Sequence, residues 1–224
     1  MKKFLIFSFS IILFAGNVTQ AQERLIGNIA FYNVENLFDI QDDPAIRDDD
    51  FTPKGNLKWD TIKYSDKLDN LAKVFKSMAA PDIIGLSEIE NRAVLNALVK
   101  NKGMARMNYQ IVHFDSPDRR GIDVALLYRR GKFTPFYTKN IEFKDESDPG
   151  FKTRDILHVK GLYFGDTLNV FVNLWPSRRG GKEDKRIKAA QLLRKTINEL
   201  QAKNPMAKIV IMGDLNDDPR NKSV

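Results

Sequence analysis

Cysteine is absent from this chain of 224 residues, and histidine and tryptophan occur only twice each. Without cysteine there is no disulfide framework and no thiol to carry a lipid anchor at a processing site. Long apolar runs are also missing. The one extended apolar stretch, Phe4 to Ala15, follows Lys2 and Lys3 and gives way to Asn17, Thr19 and Gln20. It is too short to span a bilayer and has the layout of a secretory leader cleaved after Ala21. The expected product is an exported protein, periplasmic or secreted, with no stable membrane anchor. Internal repeats and low-complexity tracts are lacking as well, so the chain is not a solenoid or a linker.

What remains, residues 22–224, suits one large domain, and a hydrophobic share of 42% is ordinary for a globular core. Loss of Lys2 and Lys3 takes the formal net charge from +7 to +5. That surplus favours polyanionic partners without identifying one. Apolar, β-rich runs recur at Leu25–Tyr32, Asp82–Ser87, Tyr109–Phe114, Ile122–Tyr128, Ile156–Phe164, Thr167–Asn173 and Lys208–Met212. Leu68, Leu71, Ala72, Phe75, Met78 and Ala79 repeat at helical spacing, as do Ile187, Ala190, Leu193, Ile197 and Leu200. A shorter helix follows Asn91 and stops before Gly103. The mixture predicts an α/β fold, a layered sandwich of two mostly antiparallel sheets flanked by helices. The aspartates between Asp39 and Asp50 lack the glycine and terminal glutamate of an EF-hand and read as a solvated loop.

Four polar residues stand at the ends of apolar strands: Asn33 after IAFY, Glu88 after DIIGLS, and Asp214 and Asn216 after IVIMG. If those strands are neighbours, the carboxylates and amides meet on one rim, where they suit a hard divalent cation and a water molecule. SRRGG, from Ser177 to Gly181, adds two arginines and two glycines ahead of a helix, a composition suited to an anion site.

With FYNVENLFD (31–39), DIIGLSEIEN (82–91), SPDRRGIDVALLY (116–128), KTRDIL (152–157), NLWPSRRGG (173–181) and GDLNDDP (213–219), the chain resembles the endonuclease/exonuclease/phosphatase superfamily, in particular a secreted bacterial nuclease-like branch. The resemblance implies in-line hydrolysis of a phosphate ester, of nucleic acid or another phosphate ester substrate, with Mg²⁺ or Mn²⁺ as cofactor and no obligate protein partner. It implies that Glu88 and Asn33 serve the metal, and that Asp214 and Asn216 position the attacking water. Asn173 and Asp123 would complete the catalytic set, with Arg120, Arg154, Arg178 and Arg179 contacting phosphate. The chain departs from the family pattern in two places. Leu174 stands where a histidine is expected, which would leave Asp123 without its partner. GDLNDDP is followed by few residues, with no terminal Ser-Asp-His motif, so the domain is expected to be incomplete at the C-terminus and prone to associate. Impaired hydrolysis, a non-catalytic phosphate or nucleic-acid binding module, and a phosphatase or phospholipase are the alternatives this leaves. Neither His113 nor His158 lies in a matching motif, and both read as structural.

Overall fold

A continuous apolar strand such as IIGLSEI can be buried on both faces only if layers cover it above and below, and that requirement organises the molecule. The structure, a computed structural model, describes residues 27–224; the expected leader at 1–21 lies outside them. Strands β1 (Ile29–Leu37), β2 (Ile83–Ile89), β3 (Tyr109–His113) and β4 (Asp123–Arg129) form one sheet in the order β1-β2-β4-β3. Strands β5 (Phe133–Ile141), β6 (Ile156–Tyr163), β7 (Asp166–Leu174) and β8 (Lys208–Asp214) form the second, in that order. In each sheet one pair is parallel, β1 with β2 and β7 with β8, and the rest are antiparallel. The layered sandwich expected from the sequence is therefore observed, with sheets of mixed direction.

Helices α1 (Thr61–Ser77) and α2 (Arg92–Lys100) cover the outer face of the first sheet, and α3 (Glu183–Lys203) covers the second. Asp60 starts α1 by accepting the Lys63 amide, and Asn91 starts α2 by accepting the amides of Ala93 and Val94. Leu68, Leu71, Ala72 and Phe75 of α1 pack on Ile84, Leu86 and Leu127, giving one core. Ile83, Leu126, Leu157, Val159, Val170, Val172 and Met212 fill the space between the sheets. Gly85 lets the sheets close there, because a Cβ at that position would run into the Met212 side chain. None of the described helices is long and apolar enough to cross a membrane.

Strand β5 was not expected from the sequence. Its Pro135 and the polar Thr138, Lys139 and Asn140 break the β signal, and both fit an edge strand paired on one side only, with an irregularity between Pro135 and Tyr137. In α3 the buried set is Arg186, Ala189, Leu193 and Ile197, so a salt-bridged arginine occupies part of the face expected to be wholly apolar.

Candidate active site

The parallel pairs place the ends of β1, β2 and β8 at one end of the sandwich. The pairing register shifts between Asn33 and Leu37 in β1 and between Ser87 and Ile89 in β2. Glu88 sits in the second irregularity with φ +64°. A non-glycine residue held there costs about 1–3 kcal/mol, and such bulges turn a side chain out of the alternation of its strand. The Asn33 amide nitrogen donates to Glu88 Oε1 at 3.1 Å and to Asp214 Oδ2 at 3.0 Å. It thereby ties carboxylates from both sheets together. Its oxygen accepts the Glu35 amide at 2.8 Å, so Asn33 holds the carboxylates and its carbonyl is already engaged. Asp214 Oδ1 accepts the Asn216 amide at 3.0 Å, and the Asn216 side chain donates to the Trp175 carbonyl at 2.9 Å. Gly213 precedes this turn at φ +155°, packed so closely on Asn173 that a side chain would collide with it.

Leu174 lies directly beside Asp214 in the β7–β8 ladder and lines the cleft while its side chain packs into the inter-sheet core. Asn173 is fully buried. It donates to the Met212 carbonyl at 3.0 Å and accepts from the Trp175 indole at 3.3 Å, so it braces the wall and does not face solvent as the expected phosphate-facing rim requires.

The four arginines divide. Arg154 is nearly buried and donates to Asp118 at 3.1 Å and to the carbonyls of Leu174 at 3.2 Å and Trp175 at 2.7 Å. Burial lowers its proton affinity, and Asp118 opposes that effect. It is a pillar under the NLWP segment. Arg120, whose backbone amide is held by Asp118 at 2.9 Å, and Arg179 are exposed and line the cleft. Arg178 turns to the other side of the GDLNDDP loop, pairing with Asp218 at 2.8 Å and donating to the Asn216 carbonyl at 3.1 Å.

Asp123, expected to lack a partner, has one. His113 Nε2 lies 3.1 Å from its Oδ2, and Ser116 donates its amide at 2.9 Å and its hydroxyl to Oδ1. Burial raises the Asp123 pKa, while the His113 and Ser116 bonds oppose the rise. His113, Asp115 and Asp123 offer donor atoms within 4.8 Å of one another. The Asp123 oxygens are committed to Ser116 and His113, so this group reads as a buried Asp–His pair that pins the SPDRRG loop. The signal for it was the β3–β4 hairpin, whose register puts His113 opposite Ala125, two residues from Asp123.

These elements enclose a cleft of about 840 Å³ that includes Glu88, Leu174 and Asn216. Seven basic side chains line it, among them Arg47, Arg119, Lys152 and Lys182, against the acidic Glu88, Asp118 and Asp148. The four named come from separate loops; Arg47 and Lys182 lie outside the quoted motifs, and Arg119 and Lys152 stand inside two of them beside arginines that drew the attention, so the sequence alone did not single them out. Among the described residues no ion pair and no hydrogen bond other than that from Asn33 reaches the Glu88 carboxylate. An oxygen donor left without a cationic partner beside a second carboxylate suits Mg²⁺ or Mn²⁺. The glycines Gly180 and Gly181 both have positive φ, but Glu183 and Asp184 already supply negative charge at the start of α3, which opposes an anion there.

No protein of curated function matches the chain by sequence. Solved structures do share its fold. A humanised zebrafish (D. rerio) TDP2 carrying 14 mutations superposes with a TM-score of 0.58 at 17% identity, over 87% of this chain and 64% of that one. The human Nocturnin catalytic domain with bound sulfate gives 0.56 at 19%, over 70% and 60%. A mannosyl-6-phosphatase of Bacteroides thetaiotaomicron gives 0.61 at 16%, over 88% and 68%. The chain thus spans roughly two thirds of the length of these similar structures. Residues 28–224 match the profile of the Endonuclease/Exonuclease/phosphatase family, nearly the whole described chain, and the protein belongs to that family.

Proposed function

We propose that this chain is a divalent-metal-dependent phosphoester hydrolase of nuclease type, exported by its leader, whose turnover is weakened by Leu174. The observation that carries this reading is the Asn33 amide, which fixes Asp214 beside Glu88, a residue on the lining of a basic cleft. Glu88 would hold Mg²⁺ or Mn²⁺, and when bound that ion would offset charge on the phosphoryl oxygens. Arg120 and Arg179, which line the same cleft, would bind and orient the phosphate. Asp214, held by Asn33 and by the Asn216 amide, accepts a hydrogen bond from the attacking water and is placed to take its proton. Leu174, beside Asp214, can neither donate nor accept a proton. Loss of one general acid or base costs a factor of about 10²–10⁴ in rate.

Nucleic acid is the first substrate to try, since a zebrafish TDP2 of this fold was solved with a single-stranded DNA product. A sugar phosphate is the second, given the mannosyl-6-phosphatase of the same fold. The test is nicking of supercoiled DNA by the purified chain with Mg²⁺, alongside release of phosphate from small monoesters. Activity that chelator and Glu88→Ala both abolish supports the reading. Salt-sensitive DNA binding with no cleavage of any substrate favours instead a binding module on the same scaffold, which Leu174 makes the specific alternative.

A further inference from the structure

Strands β5 to β7 and the C-terminal end of α3 enclose a second cavity. It measures about 530 Å³, a size that suits a small molecule, and shares no residue with the cleft beside Glu88. The cleft takes Leu174 from the end of β7 and Lys182 from just before α3, whereas the cavity takes Thr167 from the start of β7 and Lys203 from the last position of α3. A helix of 21 residues is about 30 Å long, so the two are separate.

The cavity joins aromatic faces, cationic side chains and one histidine. Phe136 and Tyr137 are neighbours in β5 yet both line it, because the irregularity between Pro135 and Tyr137 breaks the alternation of the strand. They are 55% and 44% exposed, a large apolar surface left open. Tyr137 pairs with Lys160 and Lys139 with His158 across the β5–β6 ladder, and the Lys160 Nζ lies 5.6 Å from the centre of the Phe136 ring. Lys139, Lys160 and Lys203 face a single acidic residue, Glu199, and among the described residues none of the three has an ion-pair partner.

His158 is buried in the wall, with Tyr137 against its ring at 5.5 Å. Asn169 donates its side-chain nitrogen to the Lys208 carbonyl at 3.2 Å, which leaves its Oδ1 to face His158 Nε2 at 3.1 Å. Nε2 therefore carries the proton and donates it. Burial lowers the His158 pKa, and Lys160 and Lys139 add to the fall, so at pH 7 the ring is neutral and Nδ1 is an acceptor. Among the described residues no hydrogen bond reaches Nδ1, and it is not one of the side-chain atoms sealed from solvent without a partner. Its lone pair opens on the cavity that the ring lines.

We infer that this cavity binds a planar aromatic anion with an N–H donor, the chemistry of a nucleoside monophosphate. The base would stack on Phe136 and Tyr137, its N–H would meet His158 Nδ1, and the lysines would hold the phosphate. A neutral aromatic would leave the lysine charges unmatched, and a bare phosphate would leave the aromatic faces and the histidine acceptor without partners. This inference does not depend on the proposed hydrolysis.

The experiment is calorimetric titration of the full chain with AMP in the presence of chelator. The amino group of adenine is the only N–H donor on that base. Expected is saturable binding with a Kd at or below about 1 mM, unchanged in Glu88→Ala and Arg179→Ala, which alter the cleft and not the cavity. Tyr137→Ala and Lys139→Ala change exposed side chains and should keep the wild-type Tm, yet each should weaken binding at least about fivefold. Purine riboside monophosphate, which lacks the amino group, and adenosine, which lacks the phosphate, should each bind at least about fivefold more weakly than AMP. No saturable binding up to about 10 mM, equal binding of ribose phosphate, or an affinity that falls in Arg179→Ala and not in Tyr137→Ala would overturn the site.

Discussion

Arg154 shows how differently an arginine can serve from what its motif suggests. In KTRDIL it looks like a phosphate ligand; in the structure its guanidinium is spent on Asp118 and on the carbonyls of Leu174 and Trp175. Arg154→Met should therefore cost about 3–5 kcal/mol in urea unfolding, because it strands a buried Asp118. Adding Asp118→Leu should return a good part of that loss, and a variant pair that stays equally unstable would speak against the pillar role. His158 makes a second case. It is buried, stacks on Phe171 at 4.2 Å and bonds to Asn169 at 3.1 Å, and burial lowers its pKa below the usual 6.5. Below that value the unfolded chain takes up the proton more readily than the folded one. His158 therefore contributes a loss of stability as pH falls from about 6.5 toward its depressed value. His158→Gln should flatten the decline in Tm between pH 7 and pH 5. At this scale the sequence was legible where a polar residue ends an apolar strand, as at Asn33, Glu88 and Asp214. It was opaque where a charge is buried, as at Arg154, Asp118 and Asp48, since no local pattern tells which aspartate of a run will be enclosed.

Among the elements, the strands with dense β-branched residues announced themselves, whereas β5 was hidden by Pro135 and its polar residues. An edge strand is selected partly for being a poor pairing surface, so its signal is weak for a physical reason. Gly85 illustrates the opposite case, a residue whose meaning appears only when a second sheet arrives. Gly85→Ala should destabilise by about 1–3 kcal/mol through overpacking on Met212, and Met212→Ala should relieve part of that penalty in the double variant. β8 pairs with β7 on one side, and Ile211 is 44% exposed. Self-association through this edge should fall in Ile211→Lys, as read by sedimentation at increasing protein concentration.

Taken as a whole, the molecule lines the cleft beside Glu88 with an excess of positive charge. The cleft carries seven basic against three acidic side chains, so affinity for a polyanion should fall steeply with salt. Arg179→Ala and Lys182→Ala should each weaken DNA binding and reduce the slope of log affinity against log salt by about one. An unchanged slope in both would remove them from the binding surface. The charge surplus visible in the composition was too small to foretell this, because clustering, not total charge, makes the field. The Asn33 amide has a further consequence. Its two bonds run to carboxylates rooted in different sheets, so the geometry of the proposed site exists only while the sandwich is shut. If the proposed hydrolysis holds, activity is a gauge of closure: a core substitution that loosens the seam between the sheets should abolish it at denaturant concentrations where helices and strands are still intact.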